Sequence, residues 1–243
     1  MSNPLIGILV ALREEASAVR AAINTLPEPQ RELVRLVHGG VGPAMAVSAA
    51  QKLAQAPGLK WICSTGFCGG LDPTLPVGGI FLPKRMLAWT GSSPPPEHSI
   101  DAQTIQEAEQ ALQKAGLKFH TGTLATVTQP VFKVEEKYAL ALASGAQSVD
   151  MESAAVARLV FEKGLRFFAM RTVSDGANDA LPDEVGTFLS AEGKVRIGKV
   201  TMFALGGPRN IRELWRLGQR SKEATQSLQA AWTAVLPVLL AEK

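Results

Sequence analysis

Four carboxylates stand at the ends of apolar runs in this chain: Glu15 after Leu5–Leu12, Asp150 and Glu152 at the close of Gln147–Met151, and Asp175 after Phe167–Ser174. A carboxyl group at such a place can exchange a proton, accept from ligand hydroxyls, or put negative charge beside a developing cation. Each also has an ordinary use. Asp150 and Glu152 suit a helix start, Ser174-Asp175-Gly176 is good turn chemistry, and Glu15 fits a solvated helix face. Their joint placement favours function, because open α/β sheets gather functional groups where strand C-termini meet helix N-termini.

Two glycine-rich stretches share that placement, His38-Gly39-Gly40-Val41-Gly42 and Gly66-Phe67-Cys68-Gly69-Gly70. Glycines let a ligand approach backbone amides, and a following helix N-terminus favours an anion. Neither stretch has the G-x-G-x-x-G order or a Gly-Lys-Ser/Thr ending, so dinucleotide and NTP-hydrolysis motifs are absent, and each taken singly reads as a structural turn. His38, His98 and His120 show no metal-ligand spacing. Cys63 and Cys68, four residues apart, make neither a disulfide scaffold nor a zinc site. No metal and no bound redox cofactor are expected, and a reducing cytoplasm is the expected setting.

The elements that must position these residues follow from the apolar pattern. Short β-rich runs alternate with helical ones: Leu5–Leu12 then Glu14–Thr25, Leu33–His38 then Pro43–Gln55, and Trp61–Thr65 then a glycine-rich loop. Further strands are predicted at Ile80–Trp89, Thr121–Thr128, Gln147–Met151 and Phe167–Ser174. Helices are predicted at Ile100–Ala115, Glu152–Lys163 and twice near the C-terminus. Continuous apolar strands imply burial on both faces. The proline-rich segment Gly91–Glu97 is read as an intradomain loop, since proline donates no ladder hydrogen bond. The whole predicts one α/β domain over 1–243, a three-layer α/β/α arrangement with a mixed central sheet and a basic helical segment from about 187. With 243 residues, 46% of them hydrophobic and 19% charged, the chain has material for a sizeable core, which excludes disorder. A net charge of +3 is too small to imply nucleic-acid binding. No targeting segment is read at the N-terminus, and no stretch reaches the ~20 apolar residues of a bilayer span.

Taken together, the strings Leu12-Arg-Glu-Glu15, Gly39-Gly-Val-Gly42, Ser64-Thr-Gly-Phe-Cys-Gly-Gly-Leu-Asp72, Val149-Asp-Met-Glu-Ser-Ala-Ala155 and Arg171-Thr-Val-Ser-Asp175 resemble, in order, the purine nucleoside phosphorylase and methylthioadenosine/adenosylhomocysteine nucleosidase superfamily. Gly-Gly-Leu-Asp-Pro73, Arg13 and the basic tail look most like its hopanoid-associated phosphorylases. The resemblance implies cleavage of the N-glycosidic bond of a purine nucleoside. It makes Asp175 the acid that donates to purine N7, and Glu152 the carboxylate that takes the ribose diol. Phe132 becomes the aromatic that stacks on the base, while Met151, Phe67, Cys68, Gly69 and Ser174 complete the nucleoside site. A bulky Phe67 departs from the small hydroxyl residue of the nucleosidases and argues against their usual substrates.

The resemblance leaves the nucleophile open. Glu15 matches a carboxylate that polarises water, whereas Arg13, with Gly40 and Gly42, is suited to hold phosphate as a co-substrate. The expected activity is phosphorolysis of a 5′-substituted adenosine such as adenosylhopane, with a hydrolytic nucleosidase as the alternative and a non-catalytic nucleoside-binding module as a third reading. A homodimer or higher homo-oligomer is implied by the same resemblance.

The last candidate lies near the C-terminus. From Lys194 to Lys222 eight basic residues face Glu213 alone, and Arg209, Arg212, Arg216 and Arg220 recur at helical spacing opposite Ile211, Leu214, Trp215 and Leu217. The expectation is that the apolar side packs on the sheet and the arginines are solvated. The alternative is peripheral contact with an anionic membrane.

Overall fold

The computed structural model describes residues 5–91, 95–182, 184–188, 190 and 196–241. In chain order its elements are β1 (Leu5–Val10), α1 (Arg13–Asn24), α2 (Glu28–Arg31), β2 (Val34–His38), α3 (Pro43–Leu53), β3 (Leu59–Gly70), β4 (Ile80–Ala88), β5 (Glu97–Ser99), α4 (Ala102–Lys114), β6 (Phe119–Thr126), α5 (Val134–Ser144), β7 (Ser148–Asp150), α6 (Ser153–Glu162), β8 (Arg166–Asp175), α7 (Val185–Phe188), α8 (Ile197–Ala204) and α9 (Pro208–Ala241).

The sheet is mixed, as expected. Parallel pairing joins β1 to β2 and β3, β3 to β8, and β6 to both β4 and β7. Antiparallel pairing joins β3 to β7, and β4 to β5 and β8. Followed from partner to partner, β3, β8, β4, β6 and β7 close a ring, and β1 and β2 continue the sheet outward from β3. Helices α1 and α4 each pack on α9 in one layer, and α3 packs on α6 in the other. Coverage of both faces explains why β1 and β8 are buried almost end to end. The α9 layer is pinned by Trp232, which is fully buried, meets Phe168 edge-on at 6.0 Å and donates from Nε1 to Thr65 Oγ1 at 2.9 Å.

Three local expectations change. The stretch Gly66–Gly70 is no loop. It is the second half of β3, pairing with Arg171–Asp175 of β8 and with β7. Its glycines give room to neighbouring side chains, a use that looks like a turn signal in sequence. Helix α5, absent from the predicted elements, fills the interval before β7. The apolar side of the basic helix does not pack on the sheet: Ile211 is 56% and Trp215 65% exposed, and the buried residues of α9 begin at Ala224. Those first turns of α9 lean on α8, which buries none of its own residues. The proline-rich connection leads into β5, which among the described residues pairs with β4 alone. Positions 92–94 of that connection, and Lys194 of the basic tally, lie outside the described residues.

Candidate active site

Helix α1 begins directly after β1, so its first turn delivers Glu15 into the sheet rather than to solvent. Glu15 is 2% exposed. Its Oε2 accepts from the backbone N–H groups of Ala11 (2.8 Å) and Leu12 (2.9 Å), and Oε1 accepts from Phe67 N–H at 2.8 Å. One carboxylate thus satisfies free donors of the helix start and ties α1 to β3. Burial pushes its carboxyl above the ordinary carboxylate range, against the lowering pull of the Phe67 amide and of Arg171. Gly66 makes this possible. Its φ is +147°, and a Cβ there would stand 2.4 Å from Glu15 Oε1.

Asp150 and Glu152 frame the start of α6. Asp150 Oδ1 accepts from Thr126 Oγ1 at 2.6 Å, and Oδ2 accepts from Ser153 N–H at 3.0 Å and pairs with Arg171 at 2.6 Å. Asp150 therefore caps a helix and neutralises a buried arginine. Glu152 turns away from its helix, and its Oε1 accepts from Gly42 N–H at 2.8 Å while Oε2 lies 4.0 Å from Arg171. Burial, with the charge of Asp150 next, pushes the Glu152 carboxyl up from 4.5 to about 7. Arg171 also donates to Ser64 and Ser153 hydroxyls, both at 2.8 Å.

Asp175 ends β8. Ser174 Oγ lies 2.7 Å from its Oδ1, and the Lys137 ammonium from α5 pairs with its Oδ2. Lys137 is fully buried and donates as well to the carbonyls of Gly176 (2.8 Å) and Asp179 (3.0 Å). The missing Cβ of Gly69 keeps the adjacent strand clear of the same carboxyl, since one would come within 3.3 Å of Asp175 Oδ2.

Glu15, Glu152 and Asp175 line one cavity of about 180 Å³, together with Asp150. Phe67, Cys68 and Gly69 of β3, Met151, Phe132 and Ser174 line it too, so these sequence candidates meet in one place. Phe67 also packs, partly buried, against the main core. Burial pushes the Cys68 thiol up, which leaves it protonated and no nucleophile. Phe132 is covered by α7, where a Cβ on Gly186 would reach its ring at 3.0 Å. The rest of the lining, including Leu12, Val41, Val131 and Leu181, is mostly apolar.

The residues expected to hold phosphate are not brought there. Arg13 is exposed at the start of α1 and is not among the lining residues; Gly40 borders a separate small space beside Arg171; the Gly42 amide is taken by Glu152. Among the described residues that line the cavity, none is lysine or arginine, against four carboxylates. Sequence reasoning passed over Lys137 and the counter-charge role of Arg171. An arginine inside the apolar run Phe167–Val173 was the available signal for Arg171. Lys137, set among Lys133, Glu135 and Glu136, carried none. No group of three or more His, Cys, Asp or Glu able to hold a metal occurs among the described residues.

Residues 6–200 match the Phosphorylase superfamily. The chain is 26% identical over 214 residues to the 5′-methylthioadenosine/S-adenosylhomocysteine nucleosidase of Marinomonas sp. (strain MWYL1), covering 76% of this chain and 91% of that protein. Its fold is similar to the native structure of futalosine hydrolase of Helicobacter pylori strain 26695, with a TM-score of 0.75 at 15% identity, covering 97% and 98% of the two chains. It is also similar to the H. pylori 5′-methylthioadenosine/S-adenosylhomocysteine nucleosidase solved with butyl-thio-DADMe-Immucillin-A, with a TM-score of 0.72 at 16% identity over the whole of both chains.

Proposed function

We propose that this chain, which belongs to the Phosphorylase superfamily, cleaves the N-glycosidic bond of a 5′-substituted adenosine with water as the nucleophile, releasing adenine. The observation that carries this reading is the cavity's lining: among the described residues no lysine or arginine lines it, and the two buried cations nearby are already paired, Arg171 with Asp150 and Lys137 with Asp175. A phosphate ion there would find no free cation to pair with and would meet the negative charge of any ionised Glu15 or Glu152. An oxocarbenium-like sugar would meet opposite charge and be stabilised by it. Names of the similar nucleosidases and of futalosine hydrolase support the same choice. Phosphorolysis, the activity first expected, has less support, because Arg13 faces solvent and the Gly42 amide is occupied.

In this reading Glu15 takes a proton from the attacking water, and burial brings its basicity closer to the operating pH, where a general base works best. Glu152 Oε1 is held by Gly42, which leaves Oε2 to accept from the ribose hydroxyls. Phe132 covers one face of the purine, and Asp175 serves its N7. The apolar lining supports an apolar 5′ substituent, of which methylthio is the smallest candidate and a hopanoid chain the largest. The test is product analysis of 5′-methylthioadenosine and longer 5′-alkyl adenosines with and without inorganic phosphate. Adenine and free sugar at equal rates in both support hydrolysis, and a phosphate requirement overturns it.

The finer reading of the C-terminal surface is contact with anionic lipid. Ile197, Met202, Leu205, Ile211 and Trp215 are exposed, interleaved with exposed Lys199, Arg209 and Arg212. Each basic residue near such a surface contributes ~1 kcal/mol, and exposed Trp and Leu add apolar burial. No described helix is long and apolar enough to cross a membrane, and the contact proposed is a peripheral one. Sedimentation with phosphatidylglycerol vesicles but not phosphatidylcholine vesicles at low salt is the expected result, and equal, negligible sedimentation with both overturns it.

A further inference from the structure

We propose that Lys137 and Asp175 act as one acid, the proton that reaches the departing purine coming from the lysine ammonium through the aspartate. The inference rests on the glycosidic-cleavage reading above and concerns a residue outside the sequence motifs. A lone aspartate can protonate N7 only if it carries a proton itself. Here both of its oxygens are placed to accept: Oδ2 from Lys137, Oδ1 from the Ser174 hydroxyl. Ser174 Oγ also lies 3.2 Å from the Cys68 carbonyl, so the donor committed to this carboxyl by geometry is Lys137 Nζ, from which it can be resupplied.

The surroundings of Lys137 fit that use better than they fit a stabilising contact. Its side chain has no exposure, and among the described residues its ammonium meets Asp175 and the carbonyls of Gly176 and Asp179. Burying a charge pair is not in general stabilising, since desolvation offsets the attraction. The turn that supplies those carbonyls is itself fixed. Asp179 Oδ2 accepts from Gly176 N–H at 2.9 Å, Asp179 Oδ1 pairs with Arg220 of α9 at 2.5 Å, and Tyr138, next to Lys137 on α5, donates to Asn178 at 2.6 Å. Such a setting holds Nζ in line with the carboxyl at the cavity wall, as proton transfer between them requires.

The step balances as follows. The C1′–N9 bond breaks and its electron pair goes to the purine. The N7 lone pair takes a proton from the Asp175 carboxyl, whose O–H electrons stay on oxygen. That carboxyl draws its proton from Nζ, where the N–H pair remains as the lone pair of a neutral amine. The attacking water gives one proton to Glu15, and return of that proton through solvent on product release recharges the lysine.

Lys137→Met, close in size and without charge, tests this with two leaving groups. On 5′-methylthioadenosine its kcat should fall by roughly 10²–10⁴-fold, the usual worth of general acid catalysis, while the 4-nitrophenyl riboside, whose phenolate leaves without a proton, should be cleaved at the wild-type rate. Equal loss on both substrates means a structural role and overturns the proposal, as does no loss on either. Wild-type protein that cleaves neither substrate refutes the functional reading instead. Should Lys137→Met fail to fold, the double variant with Asp175→Asn leaves no unpaired carboxylate. Residues acting as a unit predict that it releases adenine no more slowly than Asp175→Asn alone, and a further loss contradicts them.

Discussion

Replacing Glu152 by Gln isolates the cost of a buried negative charge at the sugar site. The side chain keeps its shape and an oxygen for the Gly42 amide, and loses only its ability to ionise. In the folded protein the Glu152 carboxyl is pushed from 4.5 to about 7, by burial first and by Asp150 next. Each unit is worth 1.36 kcal/mol, so ionisation of this group costs the fold about 3 kcal/mol. The sign follows from a folded value above the unfolded one. The favourable contribution is complete below the unfolded value of 4.5 and is lost as pH rises through about 7. Urea unfolding of both proteins from about pH 4.5 to about pH 8.5 should therefore show the variant gaining on wild type by about 3 kcal/mol, the gain developing between those two values. Differencing the two proteins removes the titration of groups remote from Glu152 and leaves its own together with that of the charges it touches, Asp150, Arg171 and Glu15. A difference that stays flat across that range would refute the burial argument. The same variant should bind ribonucleosides less well while affecting 2′,3′-dideoxynucleosides little.

Other outcomes follow from the same geometry. Glu15→Gln should lower kcat by roughly 10²–10⁴-fold with the fold retained, read by adenine release and circular dichroism. Its stability relative to wild type should rise with pH, because burial holds the Glu15 carboxyl up, while the loss of one acceptor among the amides of Ala11, Leu12 and Phe67 adds a cost of about 1–3 kcal/mol that does not depend on pH. Gly66→Ala should destabilise by more than the ~1 kcal/mol that alanine normally gains in the unfolded state, because its Cβ meets the Glu15 carboxylate at 2.4 Å; thermal unfolding reads it, and an unchanged Tm contradicts the close approach. Arg13→Ala should leave adenine release unchanged, with or without phosphate, because the side chain faces solvent.

The strands were legible because a sheet covered on both faces writes itself as continuous apolar runs, and the observed β1, β4 and β8 follow the predicted segments within two residues at either end. The carboxylates were legible by position, as groups at strand ends. Their environments were not. Whether Glu15 faces solvent or the sheet depends on Gly66, half a sheet away in sequence, and on the entry of α1 directly from β1. Gly66–Gly70 misled for a related reason: glycine signals a turn when read alone, yet here it leaves space beside the carboxylates of Glu15 and Asp175. Lys137 finds its partner 38 residues along the chain, a distance no local pattern spans. The apolar side of α9 shows the converse limit, since periodicity tells that Ile211 and Trp215 share a face and says nothing of what covers it.

Oxygen tracing tests the central claim most directly. 5′-Methylthioadenosine is turned over in H₂¹⁸O with saturating unlabelled phosphate present, and the sugar product is analysed by mass spectrometry before its C1 oxygen exchanges. Water activated by Glu15 predicts one ¹⁸O at C1 and no sugar phosphate. Unlabelled sugar 1-phosphate, formed at a rate that rises with phosphate, would contradict the account.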